Sequence, residues 1–582
     1  MAISWNNVQT ESLYQEIATA LRPRNDSGDP EPVPVYSQLQ LPEKYDILVE
    51  NKGNEGISMK RILALLLCAV LLAGCVPSSV LERYGITHFR DMDYVRPDMD
   101  AIEGVCDEAI ALAASSGDAD EVLDALWSYY DAYDNFNTSY DLAYIHHHAD
   151  LTDEFWQMEH DFCAEHYSRI DMLLEELYTA LAESPLRSEL EEQYFGEGFL
   201  LDYLGEPFYD EELLSLYARE QELISEFYAI GAECEAESET EQWYDECALP
   251  MAELLAELTA LRNQIAARAG YDSYTDYAWD FSYYRDYTAG QAKAYIEDIR
   301  RELVPLYENM NSMDVWTAAD EGCTESEVRR YVRTAAREMG GIVREAFTVM
   351  ELAELYDISA SPRKSGMSFE LFLDWYCEPY LLVSGTGTRY DCLTVAHEFG
   401  HFAMDYAAGG SWAGTDVLEV FSQGMEYLSL CYGGAEGDFI RMKLADSLST
   451  YVEQAAYAAF ELQLYELPGE ELTGEGVLAL YEEVCAGYGF RSADWEPRDM
   501  VTVPHFYEMP HYVISYVVSN DAAMQLFEME LKAPGTGAAC FEQHLTTESE
   551  GFLEFIKEAE LKSPFGRINE VKGIMEGYFG EG

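Results

Sequence analysis

The longest stretch of helical pattern constrains the fold most, and it extends from about residue 100 to residue 335 with few Gly or Pro residues. Within it, apolar residues recur at helical spacing, as at Leu254, Leu258, Leu261 and Ile265. Such residues share one face of a helix, and burying that face requires packing against other helices. The chain has 582 residues, more than a single hydrophobic core usually organises. The pattern predicts a mainly α protein with more than one packed lobe.

A region before residue 390 has the pattern of β-strands instead. Residues 368–372 alternate between polar and apolar types, and residues 380–383 form a short apolar run. A period of two is typical of a strand with one buried face. Residues 385–388 predict a turn, after which Asp391 can cap a helix that extends to about Ala407. The sequence thus predicts a small β-sheet beside this helix.

The predicted helix contains an HExxH motif, His397-Glu398-Phe399-Gly400-His401. The two histidines are four residues apart on one helix face, so both imidazoles can bind one ion while Glu398 projects toward a bound water. Neutral imidazoles suit zinc, and a catalytic zinc site has three protein ligands and one open position. The motif therefore predicts a site for one zinc ion per chain, with a third ligand from elsewhere.

Polar side chains downstream can complete this site. Glu419, Ser422 and Glu426 recur at helical spacing on one face, beside an apolar stripe. One class of zinc peptidases takes its third ligand from a histidine six residues after the motif, but that position is Ala407. A glutamate must serve instead, and one acidic helix face is predicted to meet the zinc.

The HEFGH segment and the following Glu-x-x-Ser-Gln-x-x-Glu segment together resemble the thimet oligopeptidase and oligoendopeptidase F family of zinc metallopeptidases. Glu426, the last residue of the second segment, lies 25 residues after His401. The resemblance implies that Glu426 is the third zinc ligand and that Glu419, with Ser422, supports the site by orienting a ligand histidine. In the alternative assignment, which has thermolysin-like spacing, Glu419 is the ligand. Further segments that resemble the family are residues 261–266, 270–274, 285–288, 364–366 and 387–391.

Residues 504–507 and 510–516 resemble the C-terminal His and Tyr segment of the same family. Hydrolysis of a peptide bond creates an oxyanion, which an imidazole or a phenol can stabilise with a hydrogen bond. His505 and Tyr512 are the predicted donors. The segment departs from the family pattern at His511, where an aromatic residue is usual, and at Ile514, where tyrosine is common. Tyr516 is interpreted as a core or surface residue.

The resemblance implies a fold and an activity. The expected fold has two helical lobes around a deep substrate channel, with residues 101–340 as an N-terminal helical region and residues 341–582 as the catalytic region. The expected reaction is zinc-dependent hydrolysis of internal bonds in short unfolded peptides, with Glu398 taking a proton from water and passing it to the leaving amine. Two alternatives stay open: a dipeptidyl carboxypeptidase with the same zinc site, and a lipid-anchored peptide-binding protein without catalysis.

Residues 59–74 resemble a bacterial lipoprotein signal peptide. A basic start at residues 59–61 precedes the apolar residues 62–73, and small residues lead to Cys75. The apolar run is shorter than the roughly 20 residues that span a bilayer as a helix. The pattern predicts a lipid on Cys75, a tether over residues 75–100, and anchoring to the outer face of a bacterial cell membrane. Residues 1–58 are then a non-native extension before a true start at Met59.

Charge and cysteine content limit the partners. A net charge of −74 repels phosphate backbones, so the sequence predicts no nucleic-acid partner. The oligopeptide substrate is what the family resemblance implies. The 12 cysteines have no zinc-ribbon spacing. Cys234 and Cys247 can form a disulfide in an oxidising compartment or stay free, and the sequence leaves both possibilities open.

Two remaining features have the residue types of a site without a convincing pattern. His146, His147 and His148 are followed by Asp150, but consecutive residues on a helix point in different directions, which favours a solvated helix end. Asp405 lies four residues after His401, and it fits either a residue that supports the zinc site or a solvated position.

Overall fold

The computed structural model describes residues 86–204, 211–233, 247–489 and 503–580, and over these residues the chain is mainly α, as predicted. The α-helices of this part are α1 (Met99–Ser115), α2 (Ala119–Ala149), α3 (Glu154–Glu183), α4 (Arg187–Leu190), α5 (Glu211–Glu233), α6 (Leu249–Arg268), α7 (Tyr274–Tyr277), α8 (Ala289–Glu302), α9 (Val304–Met310), α10 (Thr317–Asp320), α11 (Glu325–Met339), α12 (Gly341–Ala353), α13 (Asp391–Ala408), α14 (Thr415–Tyr432), α15 (Gly437–Ser449), α16 (Ala455–Leu464), α17 (Gly474–Gly487), α18 (His505–Glu508), α19 (Val513–Lys532), α20 (Thr536–Gln543), α21 (Phe552–Glu558) and α22 (Ile568–Phe579). The strands are β1 (Tyr356–Asp357), β2 (Phe369–Leu373) and β3 (Glu378–Leu382).

The first three helices pack as a bundle around a hydrophobic core of their own. Each of them follows an aspartate, Asp98, Asp118 or Asp153, whose side chain accepts a hydrogen bond from the first helical turn, a favourable N-cap. The described residues from 211 onward contribute to a second, larger core, which the end of α2 also reaches. The change from one core to the other lies near residue 204, and the division at residue 340 into a helical and a catalytic region stays a prediction.

The small sheet has the strand order β1-β3-β2, with β1 parallel and β2 antiparallel to β3. Phe369 pairs with Leu382 at one end of the β2–β3 ladder, and Leu373 pairs with Glu378 at the other. Both strands lie within about two residues of the predicted ones, so the predicted sheet is confirmed. Because β3 leads directly into the turn before α13, the sheet lies beside the helix with the HExxH motif.

The helix α13 begins at Asp391, as the sequence predicted, but the capping role of this residue was wrong. Asp391 is the first helical residue, and the preceding Tyr390 makes no side-chain cap. The Asp391 carboxylate instead accepts hydrogen bonds from the backbone N–H groups of Thr386 and Gly387, each at 2.9 Å. It therefore fixes the turn that joins β3 to α13.

Two close helix contacts bring separate parts of the chain to the motif. At Gly400 of α13, a Cβ atom would lie 2.5 Å from the carbonyl oxygen of Phe421 in α14, so only glycine permits this approach. Helix α14 in turn packs on α19, where the Gln423 amide donates to the Tyr516 carbonyl at 3.2 Å. The two contacts place α14 between the motif and the C-terminal His and Tyr segment.

Several predictions concern residues outside the described part. They are the extension 1–58, the signal peptide 59–74, Cys75, the first residues of the tether, and Cys234 of the cysteine pair; Cys247 itself is disulfide-bonded. Over residues 86–204, 211–233, 247–489 and 503–580, no helix has both the length and the apolar character that crossing a membrane requires.

Candidate metal centre

Three side chains from two helices converge beside the HExxH motif. His397 and His401 on α13 and Glu419 on α14 present donor atoms that all lie within 4.8 Å of one another. The Oε2 atom of Glu419 is 3.4 Å from Nε2 of His397 and 3.9 Å from Nε2 of His401. All three residues are buried. Two imidazole nitrogens and one carboxylate oxygen are the donor set of a catalytic zinc site with one position left for water.

Glu426 does not join this group, which differs from the role that the resemblance implied. Its Oε1 atom lies 2.7 Å from Nδ1 of His397, on the other edge of the ring from the converging Nε2 atoms. Its Oε2 atom is 2.7 Å from Nζ of Lys443. A carboxylate that accepts from Nδ1–H leaves Nε2 free for a metal. The geometry thus favours the alternative assignment, in which Glu419 is the ligand and Glu426 orients His397.

The Glu419 carboxylate is held by two hydroxyl groups. Tyr512 donates to Oε1 at 2.7 Å, and Ser422 donates to Oε2 at 2.7 Å. Glu419 is fully buried, and this burial is the main cause that raises its pKa above the ordinary value. Because both donors are neutral, the negative charge of this carboxylate is left for a cation in the site.

Glu398 is the second carboxyl group of the centre, and it is differently placed. It is fully buried, and within the described part of the chain neither of its carboxylate oxygens has a hydrogen-bond partner. Burial, with a further contribution from the charge of Glu419, raises the pKa of Glu398 to about 8, against the opposing effect of His397. A carboxyl group with a raised pKa and no partner is suited to exchanging a proton with a reactant.

The pKa values of the two histidines are shifted in opposite directions. Burial opposes the charged form of His397, yet the hydrogen bond with Glu426 and the charges of Glu419 and Glu426 raise its pKa to about 9. Burial and the neighbouring His397 lower the pKa of His401 well below its ordinary value. Neither Nε2 atom has a hydrogen-bond partner among the described residues. Two buried nitrogens without partners, facing one buried carboxylate, are the arrangement that a divalent cation satisfies, so the residues present fit zinc.

The predicted oxyanion donors lie next to this group, but they have different partners. The Tyr512 hydroxyl is engaged by Glu419, as described above. The Nε2 atom of His505 is 3.3 Å from the hydroxyl of Tyr516, and the rings of Tyr512 and Tyr516 are 5.2 Å apart. Tyr516 was interpreted from the sequence as a core or surface residue, although its place one helical turn after Tyr512 was a signal that the two rings share a face.

Comparisons with known proteins identify the fold in which this centre lies. Residues 89–202 match the sequence model of the peptidase M3 N-terminal domain. A solved structure assigned as an oligoendopeptidase F matches with a TM-score of 0.73 and 21% identity, over 85% of this chain and 98% of that one. The chain has the oligoendopeptidase F fold. A protein of Bacillus anthracis str. Ames with the same assignment matches with a TM-score of 0.69 and 19% identity, over 85% and 98% of the two chains.

A third similar structure is that of PZ peptidase A with an inhibitor, which has a TM-score of 0.72 and 20% identity over 84% of this chain and 99% of that one. Among curated proteins, a search found no match. The resemblance to the oligoendopeptidase F family is confirmed at the level of the fold and the N-terminal domain. These similarities support a peptidase function.

The matched N-terminal domain contains the first of the two cores, and it also contains the consecutive histidines near the end of α2. His147 and His148 are buried, so the interpretation of this segment as a solvated helix end was wrong for both. Their rings are 5.0 Å apart, and the ring of His147 stacks 5.0 Å from that of His160 in α3. Asp150 lies at the helix end, where its carboxylate pairs with Arg363 at 2.7 Å.

Asp405, whose role the sequence left open, supports a turn of the oligoendopeptidase F fold. Its carboxylate accepts a hydrogen bond from the backbone N–H of Ser411 at 2.7 Å, just beyond the end of α13. Burial raises its pKa to about 6, and a hydrogen bond with Glu370 opposes this shift. Asp405 thus fixes the chain after the motif helix and has no contact with the converging donors.

Lys443 is the residue of this centre that the sequence analysis missed. Its side chain is almost fully buried and contacts both Glu426 and Asp446, the latter at 2.8 Å. A lysine in a helix 17 residues after Glu426 carries no motif. Only the packing of α15 against α14 brings its ammonium group to the carboxylate that orients His397.

Proposed function

We propose that the protein is a zinc-dependent endopeptidase that hydrolyses internal bonds of short unfolded peptides. The observation that carries the proposal is the convergence of His397, His401 and Glu419 beside Glu398, whose carboxylate has no partner among the described residues. Three ligands with an open position and an adjacent acid–base group are the requirements of metal-assisted peptide hydrolysis. The likeness to oligoendopeptidase F and PZ peptidase structures supports the same reading.

The side chains of the centre have separate roles in this proposal. When bound, zinc supplies Lewis-acid polarisation of a carbonyl and lowers the pKa of water to about 7. Glu398 accepts the proton of the attacking water and delivers it to the leaving amine. Glu426 holds His397 in the tautomer with a free Nε2 atom, and Lys443 keeps Glu426 ionised. Tyr512 and Ser422 fix the orientation of Glu419.

Tyr516 is the proposed donor to the developing oxyanion, and His505 supports it: in the tautomer in which Nε2–H donates to the Tyr516 oxygen, the Tyr516 O–H is left for the oxyanion. The sequence-based choice was His505 with Tyr512, but the Tyr512 hydroxyl already donates to Glu419. Burial and the negative charges of Glu419 and Glu398 raise the pKa of Tyr516 well above its ordinary value, so its phenol stays protonated at neutral pH. A protonated donor in a buried site stabilises a negative oxygen more than it stabilises a neutral carbonyl.

Hydrolysis of an internally quenched peptide tests the proposed activity. The wild-type protein with zinc should cut at internal bonds, and a chelator should abolish cutting that added zinc restores. The Glu398→Gln variant should retain its zinc and lose at least about 1000-fold in kcat, since it lacks the acid–base group. An unchanged rate in this variant would refute the role of Glu398.

Product mapping distinguishes the alternatives. Stepwise release of C-terminal dipeptides would replace the endopeptidase by a dipeptidyl carboxypeptidase with the same zinc site. Peptide binding without metal-dependent cutting would indicate a peptide-binding protein. The converging donors favour hydrolysis over peptide binding alone, and the likeness to structures named as oligoendopeptidase F supports internal cleavage.

The proposal also places the protein outside the cytoplasm, on the outer face of the cell membrane of a bacterium. It rests on the lipoprotein-like segment that ends at Cys75. Mass analysis of the protein from its natural source should find a diacylated N-terminal Cys75 and no peptide from residues 1–58. A peptide from residues 1–58, or an unmodified Cys75 in a soluble fraction, would overturn this part of the proposal.

A further inference from the structure

A single turn before α19 is unusual in its backbone conformation. His511 has a φ of 67°, in the left-handed region that few residues other than Gly adopt, although Asn, Asp and His do so more often than the rest. The next residue is Tyr512, whose hydroxyl donates to Glu419. A backbone outlier beside a candidate site persists only where the surroundings determine it fully. Contacts with other parts of the chain must therefore hold this turn in place.

Side chains from other elements hold both peptide groups of the turn. The Tyr283 hydroxyl donates to the Pro510 carbonyl at 2.9 Å. The Glu461 carboxylate accepts from the His511 N–H at 2.7 Å. The Arg285 guanidinium donates to the His511 carbonyl at 2.9 Å. Each of these three groups is buried. The peptide groups on both sides of His511 therefore form hydrogen bonds with protein side chains and not with water.

Arg285 is the member of this set that also contacts α14, the helix of Glu419, and α19. Its guanidinium donates to Ser515 Oγ at 3.0 Å and lies 3.4 Å from the Asp416 carboxylate. Asp416 precedes Glu419 by one helical turn on α14, and Ser515 follows Tyr512 on α19. The guanidinium is fully buried and packs against the rings of Trp279 and Tyr283, at 4.5 and 4.3 Å from their centroids.

We infer that Arg285 is a positioning residue for the proposed reaction: it fixes the left-handed turn at His511 and thereby sets Tyr512 against the Glu419 carboxylate. One guanidinium contacts both helices whose side chains form the Tyr512–Glu419 hydrogen bond. A planar fork with several donors can hold a carbonyl, a hydroxyl and a carboxylate at once, which an ammonium group cannot do with the same geometry. The inference rests on the proposed function only for its catalytic consequence.

Hydrogen exchange tests the conformational part without any peptidase activity. Purified protein without added metal should show exchange in a peptide covering residues 509–516 that is at least about tenfold faster in Arg285→Lys than in the wild type. A peptide from α2 serves as the internal reference. Unchanged exchange at residues 509–516 would overturn the inference, whether or not the protein proves to be a peptidase. Tyr283→Phe, which removes only the phenol donor to Pro510, should shift the exchange in the same direction and replaces Arg285→Lys if that variant does not fold.

Two substitutions at His511 provide the catalytic test. His511→Asn and His511→Val both remove the imidazole, but only asparagine tolerates the left-handed conformation. The valine variant and Arg285→Lys should each lose about 10- to 100-fold in kcat with KM within about threefold, and the asparagine variant should exceed the valine variant at least about tenfold. Equal kcat values for the two His511 variants, or a normal kcat in Arg285→Lys, would refute the positioning role. An inactive wild-type protein would refute the proposed function and leave the exchange result to decide this inference.

Discussion

Glu419 and Glu426 lie on one face of the same helix, but their surroundings give the two carboxylates different capacities to bind a metal ion. Glu419 is held by the neutral hydroxyls of Tyr512 and Ser422, so its charge is free to meet a cation. Against the effect of burial, Lys443 and His397 lower the pKa of Glu426, and the Lys443 ammonium already neutralises it. A carboxylate already paired with a buried lysine gains less from a metal than one that is held by neutral hydroxyls and faces the two histidines.

Zinc content should therefore separate the two glutamates. Glu419→Gln should bind less than about a tenth of the zinc of the wild type after dialysis, because a neutral amide replaces an anionic ligand. Glu426→Gln should keep the site and lose about 10- to 100-fold in zinc affinity, since it only orients His397. Metal analysis and competition with a chelator measure both. Loss of zinc in the Glu426 variant alone would restore the assignment implied by the resemblance.

Asp171 of α3 should make the stability of the protein depend on pH. Burial raises the pKa of this carboxyl group to about 7, whereas an aspartate in an unfolded chain ionises near pH 4. Between these values the folded protein holds a proton that the unfolded chain has lost. The contribution of Asp171 to the free energy of unfolding therefore falls as the pH rises from about 4 to 7 and stays low above that range.

Asp171→Asn, which cannot ionise, should reveal this effect. Its gain in the free energy of unfolding over the wild type should be small at pH 4.5 and reach about 1–3 kcal/mol at pH 8. Thermal or urea unfolding at the two pH values measures the difference. Asp124→Asn on the exposed side of α2 is the control and should show no such trend. A gain that does not grow with pH would contradict the burial argument.

At the scale of elements, the close crossing of α13 and α14 makes the metal centre. His397 and His401 belong to one of these helices and Glu419 to the other, so the distance between the helix axes sets the distance between the donors. The approach depends on Gly400, which lies between the motif residues Phe399 and His401. A glycine in a helix interior is unfavourable by roughly 0.5–1 kcal/mol relative to alanine, and here that cost permits the contact with Phe421 and Ser422.

Gly400→Ala should therefore be destabilising in spite of the better helix propensity of alanine. The new methyl group would lie 2.5 Å from the Phe421 carbonyl oxygen and 2.6 Å from Cα of Ser422. Separation of the helices should lower the free energy of unfolding by about 1–3 kcal/mol and weaken zinc binding. Gly104→Ala is a matched control, because a Cβ atom there has no neighbour within 4 Å. Denaturant unfolding should show this control to be slightly more stable than the wild type.

At the scale of the whole molecule, the charge opposes the compact state. A net charge of −74 creates repulsion among the carboxylates on the surface of the protein. Exposed charges are screened beyond about 10 Å at 0.1 M salt. The repulsion therefore depends on ionic strength, unlike the buried ion pairs at Lys443 and Arg285.

Salt should stabilise the protein measurably. Raising sodium chloride from about 20 to 300 mM should raise the midpoint of thermal unfolding by about 2–5 °C, because screening weakens repulsion among the carboxylates. Differential scanning calorimetry measures the midpoint. Choline chloride at equal ionic strength should give the same shift, which separates screening from specific binding of sodium. A midpoint that falls or stays constant would show that self-repulsion contributes little to stability.

The sequence alone determined the helical class, the small sheet and the motif helix, because helical periodicity, strand alternation and the HExxH spacing are local patterns. The family came from the resemblance of short segments such as HEFGH and the Glu-x-x-Ser-Gln-x-x-Glu that follows it. It also determined that His397 and His401 share one helix face, with Glu398 beside them. It did not determine the third donor, since Glu419 and Glu426 fit the same helical spacing. The tertiary structure favours Glu419, because Lys443, Tyr512 and the Gly400 crossing, which distinguish the two glutamates, come from segments that are separate in the sequence and act through space. For the same reason, the contacts of Arg285 with the His511 turn have no signal in the sequence.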